Sequence, residues 1–314
     1  MTTPSATDRD ERWALLLAGG DGQRLRPLTR IIAGDERPKQ FCRILGGQTL
    51  LEATERRVAH AVAPQRTLVA LTRSHERYYR PLLEGRPARS LVIQPENRGT
   101  APAILYGALR IAAEAPLGVV AVFPTDHHVS DDARFMAHVV TAFDVLRSRP
   151  DLVILLGIAP HSAETEYGWI EPTNLIPGTP LFRVGRFHEK PSTALADKLL
   201  KRHCLWNSFV LVARIPELLR LFARFVPRLF GAFAAVQSGL GTADEERAVR
   251  TAYSGLGSIG FSDAVLAARP ANLATLPVHG VRWSDWGHPR RVLATLDELG
   301  IEPEWAERAS LETT

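Results

Sequence analysis

Gly19, Gly20 and Gly22 follow directly on the apolar run 13–18, in the stretch LLLAGGDGQRLRPLT. Glycine lacks the Cβ that would hold a ligand away from the main chain, so N–H groups in such a turn can approach phosphate oxygens closely. Arg24 stands immediately behind the turn and Lys39 a little further on, two cations suited to a small anionic ligand. The spacing excludes two other phosphate motifs. Leu25 occupies the place of the third glycine of GxGxxG, and no Gly-Lys-Ser/Thr closes a Walker loop. A carboxylate, Asp126, follows VVAVFP, which puts it at the carboxyl end of a predicted strand, where open α/β sheets bind ligands. There it can hold Mg²⁺ against a nucleotide phosphate, given a second hard ligand. The pair His127-His128 invites zinc, but adjacent side chains point apart and no third ligand stands at a recognisable spacing, so both are read as structural.

The elements that must position these residues follow from periodicity. Apolar runs of strand length recur at 13–18, 67–71, 91–93, 119–123 and 152–157, with helical segments between them. Phe135, Val139, Phe143 and Leu146, spaced by four, four and three, mark one such helix. Ser130-Asp131-Asp132 and Pro191-Ser192-Thr193 are predicted helix starts, since small oxygen-bearing side chains accept from free N–H groups there. Alternation of strand and helix predicts a mostly parallel α/β sheet covered on both faces. After about residue 160 the pattern becomes Gly/Pro-punctuated strands at 167–171, 181–189 and 207–213, then long helical stretches from Ile215 onward. This second half reads as an extension of the same sheet.

The remaining composition bounds the function. The chain has 314 residues, 45% hydrophobic and 23% charged, which is globular and excludes disordered or collagen-like chains. A net charge of +4 with no basic cluster argues against a nucleic-acid partner. Cys42 and Cys204 stand far apart, supporting neither a disulfide framework nor a zinc cluster and fitting a cytoplasmic location. The first dozen residues lack the apolar core of a signal peptide, and no apolar run approaches the ~20 residues that span a bilayer, so no membrane partner is expected.

Together the motifs resemble the sugar-1-phosphate nucleotidyltransferases, whose signature is a strand ending in LAGGxGxRL followed by Pro-Lys. The match runs from Leu17 to Leu25 and then through Pro38-Lys39-Gln40-Phe41. PKQF and ENRGTAPAI, from Glu96 to Ile104, look most like the mannose-1-phosphate guanylyltransferase branch. FPTDHHV around Asp126, EYGWIEP from Glu166, FHEKP from Phe187, WNS from Trp206 and WSDWG from Trp283 follow in the family's order.

The resemblance implies a Rossmann-like nucleotidyltransferase fold, a mixed, mostly parallel sheet with helices on both faces. It implies one domain over 13–314, with a nucleotide-binding half to about 160, a sugar-phosphate-binding half from 161, and a disordered tail at 1–12. Arg24, Lys39, Asp126 and Asp285 would be catalytic, with Mg²⁺ on Asp126 and Asp285. Ala18, Gly19, Gly20, Asp21 and Gly22 would cradle the nucleotide, and Gln94, Gly99, Thr100 and Ala101 would serve the base. On the sugar-phosphate side, Gly168 would line the site, Glu189 would meet hydroxyls, Lys190 the phosphate and Asn207 the sugar.

The implied substrates are a nucleoside triphosphate, GTP first, and a sugar 1-phosphate, mannose 1-phosphate first; glucose 1-phosphate uridylyl or thymidylyl transfer is the alternative. A catalytically silent nucleotide-sugar-binding regulator is the rival of another class, disfavoured because a binder has no need of two metal carboxylates. A homo-oligomer is compatible with the resemblance, with the oligomeric state left open. The length predicts no appended isomerase domain of the kind found in the longer bifunctional guanylyltransferases. Two departures stand out. The 31–37 stretch is longer than usual, predicting a lid of unusual reach before Lys39, and Phe209 follows WNS where relatives carry glycine, predicting a crowded sugar pocket.

Overall fold

The computed structural model describes residues 12–268 and 270–306; the tail expected at 1–12 lies outside the described residues but for Arg12, which opens β1. Nine strands form one mixed sheet in the order β3-β2-β1-β4-β9-β6-β10-β8-β7. β1 (Arg12–Leu17), β2 (Thr67–Thr72), β3 (Leu91–Gln94) and β4 (Val119–Pro124) pair in parallel. β6 (Val153–Ile158) and β10 (Leu273–Val278) do the same. β9 (Leu205–Arg214) runs antiparallel between β4 and β6, and β7 (Trp169–Leu175) and β8 (Phe182–His188) form an antiparallel pair. β5 (His128–Val129) and β11 (Trp283–Ser284) make a separate two-stranded ribbon. Of the strands after residue 160, β7 to β10 therefore join the first half in one sheet, while β11 pairs with β5.

Both faces are covered, which is why β2 and β6 are buried along their whole length. Helix Asp132–Ser148 packs on one face with Phe135, Val139, Phe143 and Leu146 inward. Helices Thr100–Glu114 and Ile215–Phe225 cover the other. Gly107 lets the first of these sit close on the sheet, since a Cβ there would stand 2.5 Å from the Leu15 side chain. A third cluster, with Leu25, Leu28, Trp286, Val292 and Leu296, docks helix Pro289–Leu299 against helix Arg26–Ala33.

Both predicted helix starts are found: Asp131 caps its helix by accepting from the Arg134 N–H at 2.8 Å, and Ser192 is the N-cap of helix Thr193–Lys201, without a side-chain bond. Two other sequence expectations are corrected. The helical reading from Ile215 onward missed β10, an internal strand whose Pro277 pairs opposite Gly157; proline in a strand argues for an edge, so the pattern LATLPV concealed it. The 31–37 stretch is no free lid. Gly34 ends the helix at φ +76°, Asp35 takes Arg37 through both carboxylate oxygens, and Glu36 pairs with Arg26 and Arg30.

Candidate active site

The glycine turn is shaped from below by its carbonyls. Thr125 Oγ1 donates to the Leu17 carbonyl, Gln40 Nε2 to those of Ala18 (3.0 Å) and Gly20 (2.7 Å), and Thr72 Oγ1 to that of Gly19 (2.9 Å). The Ala18 N–H goes to Ala70, while those of Gly19, Gly20, Asp21 and Gly22 take no acceptor among the described residues. With carbonyls held by the protein, the open amides are the groups left for an anion. Gly19 is required by contact, since a Cβ would stand 2.7 Å from Gln94 Nε2, and Gly22 by its φ of +57°. Asp21 is braced by His75 at 3.1 Å and by Asn97 Nδ2 at 2.9 Å. Burial keeps the His75 imidazole below its usual pKa, the opposing attraction of Asp21 being the smaller effect.

Lys39 draws the centre together. It lies in a short 3₁₀ turn, 6% exposed, and its Nζ donates to the main-chain carbonyls of Asp285 and Trp286 while standing 3.3 Å from Asp126 Oδ2. Desolvation opposes ionisation of Asp126, but the charges of Lys39 and His127 and the Lys39 hydrogen bond outweigh it, holding the carboxyl below its ordinary range. Asp285 Oδ1 accepts from the Gly287 N–H (2.8 Å) and from Arg291 (3.0 Å). Arg24 reaches toward the same corner and donates to Glu166 at 2.9 Å, a half-exposed pair.

The tandem histidines pack rather than ligate. His128 stacks on Trp286 at 5.0 Å, with burial pulling its pKa down to about 4, and His127 stands edge-on to Trp283. Among the described residues no three or more His, Cys, Asp and Glu side chains converge as a metal site. Asp126 and Asp285 would each offer one hard carboxylate donor. This suits a magnesium ion, which takes one or two carboxylates and completes its shell with phosphates and water, and does not suit an all-protein cage.

Gly99, Thr100 and Ala101 open helix Thr100–Glu114 beside segment 259–261. Gly99 is at φ +85°, and a Cβ would stand 2.4 Å from the Ile259 carbonyl oxygen. Ala101 spends its N–H on that carbonyl at 3.0 Å, and Thr100 Oγ1 accepts from the Phe261 N–H at 2.8 Å. Gln94 is buried under Gly19, donating to Leu71 and accepting from Tyr253. Ala101 and Gln94 therefore brace this wall through their own hydrogen bonds.

The sugar-side residues meet where β7, β8 and β9 converge. A Cβ on Gly168 would stand 3.0 Å from Glu189 Oε2 and 3.4 Å from the Asn207 Cβ. The Asn207 N–H donates to the Gly168 carbonyl, and its Oδ1 accepts from the Phe209 N–H at 3.1 Å. Glu189 follows β8, its pKa raised by desolvation and then by the charge of Asp263, and Lys190 turns the chain at φ +44°. Phe209 sits in a bulge of β9 at φ +64°, half-buried against the apolar cluster that includes Phe187 and Leu205.

A family model described as nucleotidyl transferase matches residues 13–225. The chain belongs to the nucleotidyl transferase family. It is 31% identical to the xanthan biosynthesis protein XanB of Xanthomonas campestris pv. campestris over 290 residues, 91% of this chain and 60% of that relative. It is also 31% identical to a mannose-1-phosphate guanylyltransferase of Sinorhizobium fredii over 283 residues, 87% of this chain and 52% of the relative. The chain thus spans from about half to three fifths of the length of these relatives. A crystal structure described as mannose-1-phosphate geranyltransferase from Thermus thermophilus matches with TM-score 0.77 and 32% identity, covering 90% of this chain and 79% of that one. A UDP-glucose pyrophosphorylase complexed with UDP-glucose shares the fold at TM-score 0.56 and 14% identity, covering 92% of this chain and 98% of that one.

In this nucleotidyl transferase two residues escaped the sequence reading. Gln40 lay inside PKQF without a role, and its two carbonyl contacts give it one. Arg291 had no signal beyond a basic pair at a helix start. It joins Asp285 to Glu164 (2.6 Å) and lies 4.5 Å over the Tyr167 ring. Among the described residues no helix is long and apolar enough to cross a membrane.

Proposed function

We propose that the chain joins a sugar 1-phosphate to a nucleoside triphosphate, releasing pyrophosphate and a nucleotide sugar, with GTP and mannose 1-phosphate as the preferred pair. The observation that carries this reading is the Lys39 ammonium, which ties the strand-end Asp126 to the Asp285 segment beside the open amides of the glycine turn. Identity of about 31% to a relative named mannose-1-phosphate guanylyltransferase supports the choice of substrates.

A sugar phosphate is already ionised at neutral pH, so the reaction needs no general base and is advanced by alignment and charge neutralisation. The amides of Gly19 to Gly22 and the Arg24 guanidinium meet the triphosphate. Lys190, exposed at the mouth, takes the phosphate of the nucleophile, while Glu189 and the Asn207 side-chain NH₂ hold sugar hydroxyls. Asp126 and Asp285 would hold Mg²⁺, which when bound offsets charge on the α-phosphate and the leaving group. A pyrophosphate-release assay over a panel of triphosphates and sugar 1-phosphates tests the proposal. Highest kcat/KM is expected for GTP with mannose 1-phosphate. Preference for UTP or dTTP retires the guanylyl assignment, and silence across the panel retires the reaction.

A further inference from the structure

A cavity of about 490 Å³ lies between the β5–β11 ribbon, the loop before β7 and helix Pro289–Leu299. It stands apart from the sugar-phosphate residues. Trp206 lines it, whereas its neighbour Asn207 serves the other site, and successive strand side chains face opposite sides of a sheet. The apolar clusters agree: Trp206, Tyr167 and Trp283 belong to one face, and Phe187 and Phe209 to the other.

The wall is aromatic. Tyr167 meets Trp206 at 5.0 Å and Trp283 at 5.1 Å, both edge to face. Trp206 is 1% exposed, and its Nε1 is buried without a hydrogen-bond partner, so a donor on this wall lacks an acceptor. The polar lining is balanced. Arg282 pairs with Glu298 at 2.7 Å and Arg291 with Glu164 at 2.6 Å, leaving no surplus positive charge to draw an anion. Hydroxyl groups both donate and accept, so a hydroxylated ring can meet a carboxylate and a guanidinium at once, which a phosphate cannot. Aromatic faces take its C–H surface, and the volume falls within the ~300–1,000 Å³ usual for small-ligand sites.

We propose that this cavity binds a neutral pyranose sugar, separately from the site assigned to the sugar phosphate. Arg291 lines the cavity and also holds Asp285, so an occupant there reaches the catalytic centre through one guanidinium. Binding is independent of the proposed reaction and is measured without turnover.

The test is calorimetric titration of the full chain with D-mannose, D-glucose, D-galactose, L-fucose and L-rhamnose, with tryptophan fluorescence as a second signal. Saturable binding of at least one sugar is expected, with a dissociation constant of about 1 mM or tighter. Ala294→Phe, which adds bulk from an exposed helix position lining the cavity, should abolish it, and Arg282→Ala, a solvent-exposed change, should weaken it about tenfold. Glu189→Gln should leave it intact. No saturable binding by any of the sugars overturns the proposal, as does binding that survives both cavity variants and is lost in Glu189→Gln. Unchanged turnover at sugar saturation overturns the link through Arg291.

Discussion

Lys39 and Asp126 meet at 3.3 Å, Nζ to Oδ2, and the same ammonium caps the main-chain carbonyls of Asp285 and Trp286. One buried cation therefore joins segments that lie far apart in the chain, and its loss is felt in folding as well as in chemistry.

Lys39→Ala is accordingly expected to lower stability by about 3 kcal/mol, the scale for removing one partner of a buried pair, and to abolish turnover. The ammonium is buried and bonded to two main-chain carbonyls, so its removal lowers the melting temperature as well as the rate. Urea unfolding beside a pyrophosphate-release assay checks both parts, and an unshifted unfolding midpoint refutes the anchoring role.

Asp126→Asn and Asp285→Asn keep size and remove charge. Each is expected to reduce kcat by a few powers of ten, about 3 to 5 kcal/mol in the barrier, with a raised Mg²⁺ requirement. Magnesium titrations of steady-state rate distinguish this from simple unfolding, and wild-type rates in either variant would falsify the metal assignment.

His75 makes stability depend on pH. Burial lowers its folded pKa below the ordinary 6.5, so the unfolded chain binds the proton more readily. Stability is thus predicted to fall as pH drops below about 6.5, the loss continuing down to the folded pKa. Urea midpoints measured across pH 5 to 8 should slope less in His75→Gln, and equal slopes would remove His75 as the source.

Phe209→Gly relieves a left-handed backbone, worth about 1 to 2 kcal/mol, but gives up part of the roughly 1.5 to 3 kcal/mol that full burial of such a side chain contributes. The two nearly cancel for a half-buried ring, so stability should change by no more than about 1 kcal/mol. Acceptance of alternative sugar 1-phosphates should widen, because the ring follows Asn207 by two residues. A loss of several kcal/mol with unchanged selectivity would instead mark Phe209 as a core residue.

Local chemistry made much of this protein legible from its residues alone. The glycine turn, the helix start at Asp131 and the all-buried strands each depend on a few neighbours, so 13–22, the helix through Leu146 and the apolar run 152–157 could be read directly. Ordered motifs likewise pointed to Asp126, Asp285, Glu189 and Asn207. Tertiary structure decided what depends on distant partners. It buried Lys39 under the carbonyls of residues 285 and 286 and brought Arg291 to Asp285. It also inserted β10, with its Pro277, between β6 and β8, and spent the Ala101 amide on Ile259. Neither hydrophobic periodicity nor motif spacing carries information about which remote carbonyl or carboxylate a side chain will meet; that is set when the sheet closes and its connecting loops converge.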